Sequence, residues 1–214
     1  MGNIFFNPAI GNNYMSGGIF NKRILVLGER FHCTEKRKKC GNMCHKNGCR
    51  EFATDVINRI TAGEKCYWTG TFRRFEHAIA GRTTTIDDSK KIWSSIVFSN
   101  YVQEAMGSAQ EIPSAAQFKN AEIPFFELLE LVRPDAIIAW GKRLFNVMPG
   151  GENYTKTTDI IVDDCRGCTG IYRLADKTEI PILWINNPAS AFSCDKWHKV
   201  INTFLGKQQI TINI

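Results

Sequence analysis

Four short aliphatic runs, each closed by Gly, Asn or a charge, set the rhythm of this chain. The first, Arg23-Ile24-Leu25-Val26-Leu27 ahead of Gly28-Glu29, is apolar without alternation, as a strand buried on both faces of a parallel sheet must be. The runs Ile96-Val97-Phe98-Ser99-Asn100-Tyr101-Val102, Ala136-Ile137-Ile138-Ala139-Trp140 and Ile180-Pro181-Ile182-Leu183-Trp184-Ile185 predict three more strands. Gly141 stops the third, and Asn186-Asn187-Pro188 breaks the fourth. Between them the apolar spacing turns helical. Phe52, Val56, Ile57 and Ile60 mark one helix, and Phe72, Phe75 and Ile79, halted by Gly81, mark a second. A third covers 87–94 with Asp87 or Asp88 as its cap, and a fourth, headed by Ser114, runs through Phe125, Phe126, Leu128, Leu129 and Val132 to Arg133-Pro134. A closing helix is expected near 195–205.

Strands alternating with helices predict an α/β fold, a three-layer α/β/α sandwich around a central, mostly parallel sheet of about four strands with right-handed crossovers. Residues 23–214 read as a single domain. Residues 1–22, rich in Asn and Gly, read as an irregular N-terminal arm, and about 33–50 as a Cys- and Lys-rich insertion without apolar periodicity. In such sheets ligands sit outside the carboxyl ends of the strands, where Gly28-Glu29, Asn100, Gly141 and Asn187 all fall.

Composition narrows the setting. With 214 residues, 43% of them hydrophobic and 22% charged, the chain can bury one substantial core. Lys and Arg outnumber Asp and Glu by 27 to 21, a formal +6 that favours a polyanionic partner. Part of that excess is concentrated in Lys36, Arg37, Lys38, Lys39, Lys46 and Arg50. No apolar run approaches a membrane helix and no secretion signal opens the chain, so no membrane partner and a cytoplasmic location are expected. In a reducing compartment the eight cysteines read as thiols or metal ligands rather than disulfides.

In chain order, the four strand ends resemble the landmark segments of uracil-DNA glycosylases and their mismatch-specific and iron-sulfur relatives, over roughly residues 23–205. Gly28-Glu29 is similar to the Gly-Glu of the iron-sulfur branch. Asn100 resembles the asparagine that reads the edge of a flipped base, Trp140-Gly141-Lys142-Arg143 a structural glycine turn, and Asn187-Pro188-Ala189-Ser190 the His-Pro-Ser or Asn-Pro-Ser loop. The resemblance implies a DNA glycosylase that hydrolyses the N-glycosidic bond of a deaminated or damaged base. In that reading Glu29 positions water or stabilises the oxocarbenium ion, and Asn187 supports the departing base. Gly28, Phe31, Asn100 and Tyr101 form the base pocket, while Ser190, Ser193, Lys142 and Arg143 meet the backbone phosphates.

Two positions depart from the family pattern. Arg30 sets a cation beside Glu29, which lowers its basicity or pins it in a salt bridge, and Asn187 stands where many members carry the more electrophilic His. Both favour a competing reading, a non-catalytic nucleic-acid or nucleotide-binding module on the same fold. A third reading takes the cysteines as its centre. Cys40-x3-Cys44-His45-x3-Cys49 and Cys165-x2-Cys168 offer Cys40, Cys44, Cys165 and Cys168 as four thiolates for zinc or an iron-sulfur cluster. Their spacing differs from that of the iron-sulfur glycosylases, and a plain thiol loop is the alternative. His32 with Cys33 as a base and nucleophile is disfavoured, because adjacent strand side chains face opposite ways.

Overall fold

All four predicted strands form, and they are neighbours. The computed structural model describes residues 2–32 and 47–214. In chain order the elements are β1 (Ala9–Ile10), β2 (Ile24–Gly28), β3 (Phe31–His32), α1 (Asn47–Arg50), α2 (Phe52–Thr61), α3 (Thr69–Ala80) and α4 (Ile86–Ser94). There follow β4 (Ile96–Asn100), β5 (Ala105–Met106), α5 (Ala115–Asn120), α6 (Glu122–Val132), β6 (Ala136–Trp140) and α7 (Lys142–Val147). The chain closes with β7 (Tyr154–Lys156), β8 (Ile160–Val162), β9 (Cys165–Arg173), β10 (Glu179–Ile185) and α8 (Cys194–Lys207).

The sheet is mixed and larger than the four strands expected. Its path is β1-β4-β2-β6-β10-β9-β7, with β8 paired to β9, and β3 and β5 form a separate two-stranded parallel pair. The four anticipated strands, β4-β2-β6-β10, are its parallel centre, and β1, β9 and β7 extend it with antiparallel pairings. The additions were missed for definable reasons. The two-residue β1 lies inside the arm expected to be irregular, and β9 carries Gly167 and Gly170 where strand formers are expected. Those glycines serve packing: a Cβ on Gly167 would lie 2.7 Å from Leu183 and Val200, and one on Gly170 would lie 2.3 Å from the Tyr154 ring.

Alternation along the strands divides the interior between two clusters. Ile24, Val26, Ile96, Phe98, Ile138 and Trp140 pack with residues of α2, α3, α4 and α8, whereas Leu25, Leu27, Val97, Ile137 and Ala139 pack with residues of α5, α6 and α7. The predicted helices lie close to their expected places. Gly81 ends α3 with φ 68°, a left-handed conformation that favours glycine, and Ser114 caps α5. The cap of α4 is Thr85 in a capping box with Asp88, not Asp87 or Asp88 as cap, and the helix expected from Ser114 onward is divided at Ala121 into α5 and α6.

Glu76 on α3 is fully buried, an arrangement that apolar periodicity does not reveal. Its carboxylate accepts hydrogen bonds from Trp93 Nε1 (2.7 Å), Ser89 Oγ (2.8 Å), Thr84 Oγ1 (3.1 Å) and Arg73 Nη1 (2.8 Å), and Arg73 also donates to the Ile60 carbonyl at the end of α2. One charge thus ties α2, α3 and α4 together. Glu76→Ala would leave these donors unpaired in the interior and should cost about 3–5 kcal/mol, the usual penalty for breaking a buried charge pair from one side. The check is urea unfolding, where the midpoint should fall with an unchanged slope.

Candidate functional site

The strand ends converge because the parallel strands run in register. Gly28 pairs with Asn100, Leu27 with Ala139, and Trp140 with Ile185, so four chain segments leave the sheet side by side. From β2 the chain passes to β4 on one side, while from β6 it passes to β10 on the other. The gap between β2 and β6 is therefore the reversal point where α/β sheets hold ligands.

At that gap stands Glu29, buried at 7% exposure. Arg143, just past β6, donates to it from Nε (2.6 Å, to Oε2) and Nη2 (2.5 Å, to Oε1), a two-point grip on the carboxylate. Arg30 adds a third contact from Nη1 at 3.2 Å, and is itself fixed by donation to the carbonyls of Glu111 and Ala109, 2.7 Å each. Burial lowers the Arg30 guanidinium from its usual value, while the hydrogen bond to Glu29 raises that of Arg143. Glu111, whose charge also acts on Arg30, adds a second anion, so two cations face two anions here.

Asn100 is 5% exposed, and its amide lies over Gly28. A Cβ at Gly28 would sit 2.2 Å from Asn100 Oδ1, so glycine is needed for this approach. Among the described residues the Asn100 side chain makes no hydrogen bond; only its backbone carbonyl is engaged, by Gln103 Nε2 at 2.9 Å. Gly141, with φ 108°, makes the turn after β6 and lies under Asn187, whose Cβ is 3.8 Å from where a glycine Cβ would be. Asn187 Oδ1 accepts from Ala189 N (2.9 Å), and its carbonyl accepts from Ser190 N (2.9 Å) and Ser190 Oγ (2.7 Å). Arg74 of α3 holds this loop by donating to the Pro188 carbonyl. Gly28, Glu29, Asn100 and Asn187 thus share one end of the sheet.

Other expected site residues lie differently. Tyr101 is 1% exposed in the core, its ring centroid 5.7 Å from that of Phe125, because the residue after Asn100 points to the opposite face. Phe31 is 4% exposed between Phe6 and Phe52, at ring-centroid distances of 4.8 and 4.6 Å. Neither ring offers a face to a base in this arrangement. Arg143, expected at the phosphates, is the partner of Glu29, whereas Lys142, Ser190 and Ser193 are exposed. Ser193 caps α8 by accepting from Lys196 N.

Cys40 and Cys44 lie outside the described residues. Cys165 packs in the cluster with α8, and Cys168 against the opposite one, so the pair points to opposite faces of β9 and does not converge on one ion. An odd separation on an extended strand has this result, while the same spacing in a turn brings two thiols together. Among the described residues no group of three or more His, Cys, Asp or Glu side chains is arranged to hold a metal, and no helix is long and apolar enough to cross a membrane. Sequence patterning missed the pairing of Arg143 with Glu29, the anchoring by Arg74, and the clustering of Lys142, Lys156, Arg166 and Lys196. The two unlike charges at adjacent strand ends were the available signal for the first of these. No family model matches the chain, and no curated protein matches its sequence.

His32, next to the crevice, pairs its Nε2 with Tyr67 Oη at 3.0 Å. Burial, then the charge of Arg30, lowers its imidazole from the usual 6.5. The unfolded chain takes up the proton first as pH falls, so the His32 contribution to stability is present above about 6.5 and is lost as pH drops through the folded value. An NMR titration of the imidazole should give a midpoint below 6.5, and His32→Gln should flatten that limb of the stability profile.

Proposed function

We propose that this chain is a base-reading, nucleic-acid-binding protein of the uracil-DNA glycosylase-like fold, a three-layer α/β/α arrangement whose crevice accepts a nucleotide turned out of a DNA strand and does not cleave it. The observation that carries this reading is a contrast within the crevice: Glu29 is committed to Arg143 and Arg30, while the Asn100 amide is uncommitted among the described residues. Three guanidinium donations already occupy most acceptor positions of this carboxylate and leave little room to hold a water. Its charge is also already offset where positive charge would develop on the sugar. An amide offers a donor and an acceptor at a spacing that suits a pyrimidine edge. The formal +6 of the whole chain favours the phosphates of a strand.

A glycosylase is the second reading, and one feature favours it. The Arg143 side chain is 42% exposed, so a strand phosphate competing for its guanidinium would release Glu29 from its two-point partner. Glu29 and Asn187 would then act on the sugar and the departing base.

Both readings are tested with uracil-containing single-stranded and duplex oligonucleotides, measuring binding at several salt concentrations and strand integrity after alkali. The expected result is salt-sensitive binding with intact strands, and an Asn100→Ala variant whose affinity falls about three- to tenfold, the worth of one or two net hydrogen bonds. Alkali-labile product that Glu29→Gln abolishes would replace this reading with the glycosylase. Neither binding nor product would remove both.

A further inference from the structure

A second cleft, of about 510 Å³, lies at the end of β10, between α7, Lys156 of β7, the start of β9 and the first turns of α8. None of Gly28, Glu29, Asn100 or Asn187 lines it. Its inner wall is apolar: Trp184, Ile185 and Trp197 are each at least 96% buried, with Phe145 edge-on to Trp184 at 5.0 Å. Its mouth is cationic, carrying Lys142, Lys156, Arg166 and Lys196 against a single lining acid, Asp164.

The charges around this mouth are unequal in what they leave free. Arg166 is answered by Asp159 through its Nε (2.6 Å), and Lys196 by Asp164 (2.5 Å). Lys142 and Lys156 are exposed and have no ion-pair partner among the described residues. Both line the same cleft. Burial and then the charge of Asp159 push the Cys168 thiol up, and the charges of Arg166, Lys156 and Lys142 pull against that rise. Two uncompensated ammonium groups over an apolar wall suit a ligand with a flat, weakly polar body and a compact anionic end, and the volume falls in the range of small-molecule sites.

We propose that this cleft binds a nucleotide phosphate, with the phosphate held by Lys142 and Lys156 and the base laid beside Phe145, the half-buried ring of the lining. The site is independent of base reading in the crevice. Its ligand is either a free mononucleotide or one nucleotide of a strand, chemically the same group.

Calorimetric titration of the full chain at low salt with dTMP, thymidine and a short oligothymidylate tests it, using wild type, a Lys142→Ala/Lys156→Ala double variant and Asn100→Ala. Both lysines are exposed and unpaired, and an unchanged melting temperature will show that the double variant is folded. The expected result is that dTMP binds at least about tenfold more tightly than thymidine and that the double variant loses at least about tenfold, as removing charge-assisted contacts predicts. The component of dTMP binding that the double variant loses should survive in Asn100→Ala. An oligothymidylate that binds more tightly than dTMP, or that alone binds, with the same loss in the double variant, identifies the ligand as a strand; one that binds no more tightly identifies a free nucleotide. Equal affinity for thymidine and dTMP, an undiminished double variant, or no binding of either phosphate ligand overturns the proposal. Loss of dTMP binding in Asn100→Ala alone would place the nucleotide in the crevice, overturning this site while leaving the crevice reading intact.

Discussion

In-register parallel pairing of β2 with β4 and β6 is the constraint on which the site depends. The three strands begin together, Ile24 beside Ile96 and Ala136, and are five residues long, so their ends are level. Level ends bring Glu29 within reach of Arg143 and place Asn100 against Gly28. A slip of one residue would turn Asn100 to the opposite face and bring Ser99 or Tyr101 into its place, exchanging two interior sets at once. Hydrophobic burial on both faces of β2, whose five residues are all buried, opposes that slip.

Electrostatics then decides what this geometry can do. Arg30 is held in place by two carbonyls, so it is a fixed part of the wall, whereas Arg143 has one anionic partner and a partly exposed side chain. The same carboxylate therefore has one permanent and one exchangeable cation. On the proposed function, this division is what separates base reading from the enzyme alternative, and fold alone does not choose between them.

The four central strands and most helices were legible because their apolar spacing is unambiguous, and the shared end of Gly28, Glu29, Asn100 and Asn187 followed from strand order. Legibility failed where a residue's meaning depends on a partner distant in sequence. Arg143 reads as a solvent-facing cation until Glu29, 114 positions away, is seen beside it. Resemblance puts Tyr101 in the base pocket, although strand alternation turns it away from Asn100. The glycines of β9 hid a nine-residue strand, since they answer to the neighbouring Leu183, Val200 and Tyr154 rather than to backbone preference. Glu76 was silent because a buried carboxylate on a helix is indistinguishable in sequence from a solvated one.

The short pairing of β1 with β4 has a colloidal consequence. Ala9 and Ile10 occupy the hydrogen-bonding edge of β4 opposite Phe98 and Val97, and these are among the most apolar residues of the sheet. Without that cover, an open row of amides flanked by β-branched and aromatic side chains would be a template for edge-to-edge association between molecules. The opposite margin has less need of a guard, since β7 is only three residues long and ends in Lys156. The arm residues that look least structured in sequence thus protect the molecule against self-association, and solubility would be the first property to register their displacement.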